Sequence, residues 1–483
     1  KNFSSFIPDD FPSVKFKLQV VDYKVQGATP KTRLCYITGI SNKRKEPDMK
    51  FNELLDQAAT VVPAYRQTVF RTLITALATG GQPGRISSIF RKFVNVLTGR
   101  NTVKRFYNFI HSAKIPWDNL WNVVVGLLGD PAIGGRILIA LDDTIYGNTG
   151  WHIYGRARHF DHAAKTNSSK YIWGHCRVVA GILQFIHGRW ACLPFAQRLY
   201  MPLLHKVKSS AKLPHSEWLK TKSGIGAELV IGMIERFKHS ALIVCDSWFG
   251  TLPLLREVRR HVSEKVELLS RMRVSAILYD FPKYIIGRRG RKPKYGNRLA
   301  SVPELSAQLK SKAGSAKIHL YGKMREVCFS ELVCMSGALK CPVKVVFVYY
   351  RSFTFPLFTT DLELTAEQMI EYYAARWKIE SGFKEIKHEV GALDSQCRNQ
   401  LSVENHFDLC LFATTFAWMY CSKLDHAPDR LHPTRHSNSF AFADLRRTIA
   451  SELHTEVNFS GRCPESLIPA VKYLSALLFS RAS

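Results

Sequence analysis

The chain has few acidic residues for its length of 483. It contains 68 lysines and arginines but only 39 aspartates and glutamates, which gives a formal net charge of +29 and an isoelectric point near 9.7. Such a shortage of acid indicates a polyanionic partner, most simply nucleic acid, with an anionic membrane surface as the weaker alternative. The hydrophobic fraction of 46% and the charged fraction of 22% exclude a disordered chain.

Long hydrophobic runs are also missing. The longest uncharged apolar stretch, Leu409 to Ser422, is too short to span a bilayer and predicts a buried helix instead. The chain opens with the polar and basic residues Lys1 and Asn2 and no apolar segment follows them, so we expect no signal peptide. These absences favour a cytoplasmic protein without a membrane partner.

Paired cysteine motifs are absent too. Eleven cysteines occur, mostly within apolar segments, and none forms a CxxC pair. We therefore expect reduced core thiols, neither a disulfide framework nor a cysteine-based zinc module. A histidine-based zinc site is an alternative, but without a cysteine pair structural histidines are favoured; the histidines concerned are His152, His159, His162 and His175.

The length exceeds what one hydrophobic core supports, so we expect several domains. Residues 1–128 form a basic and helical DNA-binding region in this interpretation, and residues 426–483 a helical tail. Between them an α/β core (129–272 and 362–425) is interrupted by a β-rich insertion (273–361). Two helical patterns, 86–97 and the segment carrying Lys104 and Arg105, predict either a DNA-reading helix-turn-helix or an ordinary helix pair.

Two aspartates follow short apolar runs that predict buried strands. Asp142 comes directly after residues 137–141, and Asp246 comes directly after residues 241–245. Sites in α/β sheets usually lie at the carboxyl ends of strands. Residues 171–183 and 185–195 predict two further strands joined by a tight turn near Gln184. Helices are expected over 224–237 and 252–261, and a strand over 266–272.

A helical stripe is predicted late in the chain. Tyr373, Arg376, Glu380 and Lys387 fall within an arc of roughly 60° if each residue turns a helix by about 100°. One carboxylate between two cations and a phenol suits metal-assisted phosphoryl transfer on a polyanion. The alternative is an ordinary surface helix with ion pairs that join Arg376, Glu380 and Lys384.

The predicted insertion carries a one-sided basic segment. Residues 283–298 hold seven basic residues and no acid, which predicts a phosphate-binding loop, with a solvated charge run as the alternative. The residues expected to bind DNA are thus Tyr373, Arg376, Lys384 and Lys387 on the late helix, Arg288, Arg289, Arg291, Lys292 and Lys294 in this segment, and Lys104 and Arg105 near the N-terminus.

Two aspartates at strand ends and one glutamate on a later helix are suited to bind two divalent cations. Magnesium prefers oxygen ligands, and two such ions activate a water or a 3′-hydroxyl for in-line displacement at phosphorus. Asp142 ends the apolar run directly, so we expect it to be the ligand and Asp143 to be a turn or supporting residue. Asp142, Asp246 and Glu380 are therefore the candidate catalytic and metal-binding residues.

The spacing of Tyr373, Arg376, Glu380 and Lys387 resembles the Y-R-E-K signature of the DDE transposases of the insertion-sequence family numbered four. The predicted strand order resembles their core, and the long segment before Glu380 resembles their β-rich insertion. The resemblance implies an α/β, ribonuclease-H-like fold of the retroviral integrase superfamily, with an N-terminal helical DNA-binding domain and a small helical C-terminal region.

The same resemblance implies cut-and-paste DNA transposition. Asp142, Asp246 and Glu380 would be the catalytic triad with two Mg²⁺ ions, for which Mn²⁺ can substitute. Tyr373, Arg376 and Lys387 would hold DNA phosphates near the cleavage point. The partners implied are double-stranded DNA, as terminal inverted repeats and as target, and a second copy of the chain on paired ends. A location at the prokaryotic nucleoid follows.

The sequence also departs from the family. A D-R-E-A-D-like segment is replaced by one that begins at Asp246 and runs through Ser247 and Trp248. No tryptophan lies between Trp248 and Trp377, so the base-stacking residue that some relatives use for hairpin formation is missing from the insertion. The alternatives are a ribonuclease-H-like DNA nuclease without strand transfer and a domesticated, non-catalytic DNA-binding protein.

Overall fold

The computed structural model describes residues 49–80, 85–89, 103–148, 150–161, 167, 169–202, 221–283, 291–350, 353–432 and 439–459. The predictions for the N-terminal basic segment, for the connection within the helix pair after residue 86, for Arg288 and Arg289, and for the end of the helical tail lie outside these residues.

The site is built on five strands of a mixed sheet. β1 (Arg136–Gly147) runs antiparallel to β3 (Tyr171–Ile186) on one side and parallel to β5 (Ser240–Cys245) on the other. β4 (Arg189–Tyr200) pairs with β3, and β6 (Val266–Arg271) lies parallel to β5. The spatial order is therefore β4, β3, β1, β5, β6. The side chains of 137–141 and 241–245 are almost completely buried because helices cover both faces of these strands.

β1 is longer than its apolar run indicates. The prediction of a short strand that ends at Asp142 to Thr144 is wrong, since β1 continues to Gly147. Its pairing with β5 does stop at Leu141, but the antiparallel ladder with β3 continues through Gly147 and Gly174. One partner strand therefore keeps β1 extended after the other has ended. Asp142 consequently lies inside β1, level with the end of β5.

The turn between β3 and β4 lies three residues later than predicted. The prediction of a turn near Gln184 is wrong, because Ile186 and Arg189 are still paired and only His187 and Gly188 form the loop. Both loop residues have positive φ, 45° and 79°. A two-residue loop with this geometry matches the right-handed twist of the strands that it connects. The His187 ring nitrogen, 2.9 Å from the carbonyl of Cys421, holds the turn against a helix.

The strands of the predicted insertion are continuous with this sheet. The described strands are β2 (Ala157–Phe160), β7 (Leu278–Tyr279), β8 (Gly314–Leu320), β9 (Lys323–Ser336), β10 (Pro342–Tyr350) and β11 (Phe353–Thr359) besides the five above. β11 pairs with β6, and β10, β9 and β7 follow in order, while β2 pairs with the first residues of β3. The described part of the chain thus forms one eleven-stranded sheet.

Twelve α-helices are described, and several of them pack on β1, β3, β4, β5 and β6. They are α1 (Phe51–Ala59), α2 (Ala64–Thr79), α3 (Ile86–Ile89), α4 (Val103–Ile110), α5 (Trp117–Leu128), α6 (Lys222–Phe237), α7 (Leu252–His261), α8 (Val302–Lys310), α9 (Ala366–Ala375), α10 (Trp377–Lys384), α11 (Gln400–Lys423) and α12 (Phe442–Phe459). The prediction of a buried helix around 407–421 is confirmed, since α11 is buried over that stretch. In the described residues, no helix is long and apolar enough to cross a membrane.

A fully buried arginine joins the sheet to α11. Arg177 in β3 donates hydrogen bonds to the hydroxyl of Tyr146, to Gln197 Oε1, to Glu404 Oε2 and to the carbonyl of Val403, at 2.6–3.2 Å. Burial alone would raise the pKa of Glu404, but the Arg177 guanidinium holds it below its ordinary value of 4.5. Four of the five polar hydrogens of this guanidinium are thereby directed at oxygen atoms, as a buried charge requires.

We expect Arg177→Ala to lower the free energy of unfolding by about 3 kcal/mol, because Glu404 would keep a charge without its partner. Since the pKa of Glu404 is lowered in the folded state, this contribution is present above the ordinary pKa of 4.5 and is lost as pH falls through the lowered pKa. Chemical denaturation at two pH values measures both effects. Arg198→Ala is the control, since Arg198 and Glu228 form an exposed pair 4.0 Å apart and should contribute less than about 1 kcal/mol. Equal losses in the two variants would contradict the expectation.

Candidate active site

The two predicted aspartates lie side by side. Leu141 and Cys245 form the last residue pair between β1 and β5. Asp142 and Asp246 follow them directly. Side chains at matched positions of parallel strands point to the same face, so the two carboxylates meet at the carboxyl end of β5. Burial, together with the nearby charge of Asp246, raises the pKa of Asp142 to about 7 against the opposing effect of Arg376.

The Asp246 carboxylate is held by the turn that follows β5. Its Oδ1 accepts hydrogen bonds from the backbone nitrogens of Trp248, at 3.0 Å, and of Phe249, at 3.1 Å. The Ser270 hydroxyl donates to the Asp246 carbonyl at 2.8 Å. A side chain at Gly250 would not fit here, since a Cβ would lie 2.4 Å from Ser270 Oγ. The turn therefore requires glycine and fixes the direction of the second aspartate.

Arg376 connects Asp142 with Glu380. Its Nη1 donates to Asp142 Oδ2 at 3.0 Å and its Nη2 donates to Glu380 Oε1 at 2.7 Å. The guanidinium is buried and lies 5.5 Å from the ring centre of Tyr373. The late helix is thereby joined to the central strand through one cation shared by two carboxylates. Asp142 Oδ1 accepts a further bond from the backbone nitrogen of Asp143 at 2.8 Å.

The predicted stripe does not lie on one uninterrupted α-helix, and that prediction is wrong. α9 ends at Ala375, α10 begins at Trp377, and a π-helical turn occupies Glu385–Glu389. The wider π turn changes the direction of Lys387, whose ammonium donates to the carbonyl of Ile145 at 3.0 Å. Tyr373, Arg376 and Glu380 are thus grouped, whereas Lys387 contacts the extension of β1.

Asp143 points to the opposite face of the sheet from Asp142. Its Oδ2 pairs with the Lys222 ammonium at 2.7 Å and accepts from the Cys176 thiol at 3.3 Å. The Lys222 nitrogen also lies 5.6 Å from the ring centre of Trp248, which is exposed beside Asp246. Lys222 was not among the sequence-based candidates. Its only signal was its position directly after Thr221, the N-cap of α6.

The other predicted DNA-binding residues lie on surfaces away from this cluster. Lys384 is exposed near the end of α10. Lys104 and Arg105 are exposed on α4, and Arg105 donates to the backbone carbonyl of Tyr65 at 3.4 Å. The described basic residues of the 283–298 segment are likewise exposed; those predicted to bind DNA are Arg291, Lys292 and Lys294. None of them contacts the three acids in the part of the chain that the structure describes.

The three acids fit a divalent cation by donor type but are arranged around an arginine. Among the described residues, no three histidine, cysteine, aspartate or glutamate side chains are grouped closely enough to hold a metal ion. The Arg376 guanidinium instead supplies the positive charge between Asp142 and Glu380. Carboxylate oxygens are the ligands that magnesium prefers. Burial and, to a smaller extent, the charge of Asp246 raise the pKa of Asp142, and Arg376 opposes this rise only in part.

Comparison with known proteins places the chain in a family. The family model described as DDE superfamily endonuclease matches residues 72–322, more than half of the chain, which include Asp142 and Asp246. The chain belongs to this DDE endonuclease family. No curated protein matches it. Among solved structures, the DDE endonuclease is similar to the cryo-EM structure of a piggyBac transposase synaptic complex with hairpin DNA, at 12% identity over 88% of this chain and 76% of that chain, with a TM-score of 0.38.

We expect Arg376→Ala to raise the affinity of the free DDE endonuclease for Mn²⁺ roughly tenfold, because the carboxylates lose the cation that now neutralises them. Isothermal titration calorimetry without DNA, near pH 8.5 and so above the Asp142 pKa of about 7, measures the change. Lys222→Ala is the matched control, since it removes a cation from Asp143 on the other face. Unchanged or weaker Mn²⁺ binding by the Arg376 variant would show that the guanidinium does not compete with metal.

Proposed function

We propose that this DDE endonuclease is a cut-and-paste DNA transposase related to the insertion-sequence family numbered four. The observation that carries the proposal is the bridge from Asp142 through Arg376 to Glu380, with Asp246 beside Asp142. The arginine and glutamate of the predicted Y-R-E-K pattern thus meet the aspartate of the central strand. A bridge of this kind is not expected for an ordinary surface helix, whose ion pairs stay on one helix.

The order of the first five strands supports a ribonuclease-H-like core. The central strand β1 has an antiparallel hairpin on one side and two parallel strands, each preceded by a helix, on the other. In this proposal residues 129–272 and 362–425 form the catalytic core, residues 273–361 extend its sheet as the insertion, and residues 1–128 and 426–483 are the flanking helical regions.

Asp142, Asp246 and Glu380 are proposed as the catalytic and metal-binding residues, with two Mg²⁺ ions as the cofactor and Mn²⁺ as a substitute. When bound, such ions supply the positive charge that stabilises the attacking and leaving oxygens at phosphorus. The chain itself contributes the placement of the ligands. The parallel register sets Asp142 beside Asp246, and the turn at Gly250 orients Asp246.

Arg376 is proposed to move from the carboxylates to a DNA phosphate when the substrate binds. A guanidinium forms paired hydrogen bonds equally well with carboxylate and phosphate oxygens. The ring of Tyr373 packs against the guanidinium and would hold its orientation. Lys384 and Lys387 lie farther along the same segment and would bind further phosphates. The neighbouring Lys222 extends the cationic surface on the other side of β1.

The proposed substrate is double-stranded DNA, first as the terminal inverted repeats and then as the target. The net charge of +29 supports strong contact with phosphates. Exposed cations on α4 (Lys104 and Arg105) and in the segment with Arg291, Lys292 and Lys294 provide surfaces for flanking duplex, and Arg288 and Arg289 belong to the same proposal. Cleavage of both ends in one event calls for two copies of the chain, so we expect a homodimer on paired ends.

Replacing any of the three acids by its amide should abolish cleavage of a labelled end duplex while DNA binding stays within about threefold of the unaltered chain, because binding rests on the cations. The variants are Asp142→Asn, Asp246→Asn and Glu380→Gln, and gel-based cleavage with Mg²⁺ or Mn²⁺ measures the effect. Glu385→Gln is the control in the same segment, since Glu385 is buried against the Trp418 indole and points away from the cluster. Full cleavage by an acid variant would remove that residue from the mechanism.

Asp143→Asn is the sharper control for the first aspartate. The proposal expects it to retain most cleavage, because Asp143 faces Lys222 and not Asp246. A strand-transfer assay with pre-cleaved ends then separates a transposase from a nuclease of the same fold. Joining of the 3′ ends to target DNA is expected; hydrolysis alone would favour the nuclease, and DNA binding without metal-dependent nicking would favour a non-catalytic protein.

A further inference from the structure

A second feature lies at the far end of the β1 and β3 ladder. β2 pairs there with the first residues of β3, so that Arg158 lies opposite Trp173 and Phe160 lies opposite Tyr171. Residues directly opposite each other in a sheet share a face. All four side chains are exposed, whereas Ala157 and His159, on the other face of β2, are buried. An exposed face of three aromatic residues and one arginine results.

Cations are layered between the aromatic rings of this face. The Arg156 guanidinium lies 5.2 Å from the ring centre of Trp151 and 5.5 Å from that of Trp173. The Arg158 guanidinium lies 4.1 Å from the ring centre of Tyr171. Trp151 is 86% exposed and Trp173 is 53% exposed. Within the described residues neither arginine forms an ion pair with a carboxylate, so both keep their charge available to a ligand.

The face is held in place by contacts with the core. The backbone nitrogen of Tyr154 donates to the carbonyl of Arg398 at 2.8 Å, and the His175 ring nitrogen is 2.8 Å from the Tyr154 carbonyl. Gly174 lies so close to β1 that a Cβ there would be 1.9 Å from the carbonyl of Tyr146. Aromatic groups fixed in this way lose little conformational freedom when a ligand binds, which favours binding.

The aromatic face and the catalytic aspartate share one side of the sheet. Asp142 pairs with Val179, and Trp173 lies an even number of residues from Val179 along β3. Side chains two apart on a strand point the same way, so Asp142 and Trp173 belong to the same face, about 20 Å apart along the strand. That distance corresponds to the length of a few nucleotides.

We propose that this face (Arg158, Phe160, Tyr171 and Trp173), together with the adjoining Trp151 and Arg156, binds unpaired nucleotides of a DNA strand. The strand would lead to or from the active site. Indole and phenol rings stack on any base, and the arginines contact both bases and phosphates. In a duplex the bases are stacked on one another, so their faces are not accessible to these aromatic rings. The inference rests on the proposed function for the origin of the strand, because DNA cleavage would produce the unpaired nucleotides. Binding of a strand to this face does not itself require cleavage.

The charge of this face argues against a second copy as its occupant. If two copies met through it, the arginines of the two faces would repel each other. A DNA strand brings the opposite charge together with flat apolar groups. The face therefore fits a single strand in both respects.

The test measures binding of the full chain to a fluorescent oligodeoxythymidylate of about 20 nucleotides, and to a duplex of equal length, by anisotropy in EDTA. Trp151→Ala and Trp173→Ala should each weaken single-strand binding roughly tenfold and change duplex binding by less than about twofold. Trp173→Phe should keep most of the affinity, which separates stacking from misfolding. Tyr65→Ala is the control, since Tyr65 is an exposed ring 5.2 Å from Arg66 on α2 and should have no effect.

Three results would overturn the proposal. Unchanged single-strand binding in the double tryptophan variant excludes the face as a binding site. An equal loss of affinity for duplex and for single strand would show that the face contacts phosphates without stacking on bases. A change of oligomeric state in the double variant, with DNA binding intact, assigns it to a protein interface. Because EDTA prevents metal-dependent cleavage, a failure here is distinguishable from a failure of the proposed transposase activity, which the acid variants test.

Discussion

The hydrogen bonds between β1 and β5 set the register on which the active site depends. They bring Leu141 level with Cys245, and the two following aspartates become neighbours for that reason alone. A slip of one residue would turn Asp142 toward α6 and place Asp143 beside Asp246, since successive side chains of a strand alternate in direction. The apolar side chains of 137–141 and 241–245 oppose such a slip, because both faces of the strands are buried. Core packing thus decides which acid enters the site.

A site with three acids in a partly buried position is unfavourable until a cation is present. Burial and the charge of Asp246 raise the pKa of Asp142 to about 7, and the Arg376 guanidinium offsets this by pairing with Asp142 and Glu380. The arginine therefore stabilises the acids in the absence of metal and DNA. The same contact joins α10 to β1, although the two elements are distant in sequence. Stability of the free protein and readiness for catalysis are in this way coupled through one side chain.

The sequence revealed those parts of the site that depend on local pattern. Short apolar runs followed by aspartate identified the level at which the pairing of β1 with β5 ends, although β1 itself continues to Gly147. The i,i+4 spacing of Arg376 and Glu380 identified their pairing. Contacts between distant segments were not visible. The extension of β1 to Gly147 depends on its pairing with β3, and the link from Arg376 to Asp142 depends on how helices pack on the sheet. The π turn at Glu385–Glu389 replaces a regular helix without a marker in the composition.

The extension of β1 past Asp142 also explains why exposed aromatic rings are tolerated on this protein. Beyond Asp142, the pairing of β1 with β3 continues to Gly147 and Gly174, and the adjoining side chain of Trp173 is 53% exposed. Contiguous exposed aromatic groups normally promote self-association. Here Arg156 and Arg158 lie against the rings, and like charge opposes self-association through this face when DNA is absent. The aromatic rings and the arginines together favour a ligand that is flat and anionic, on the face of the sheet that carries Asp142, the proposed catalytic aspartate.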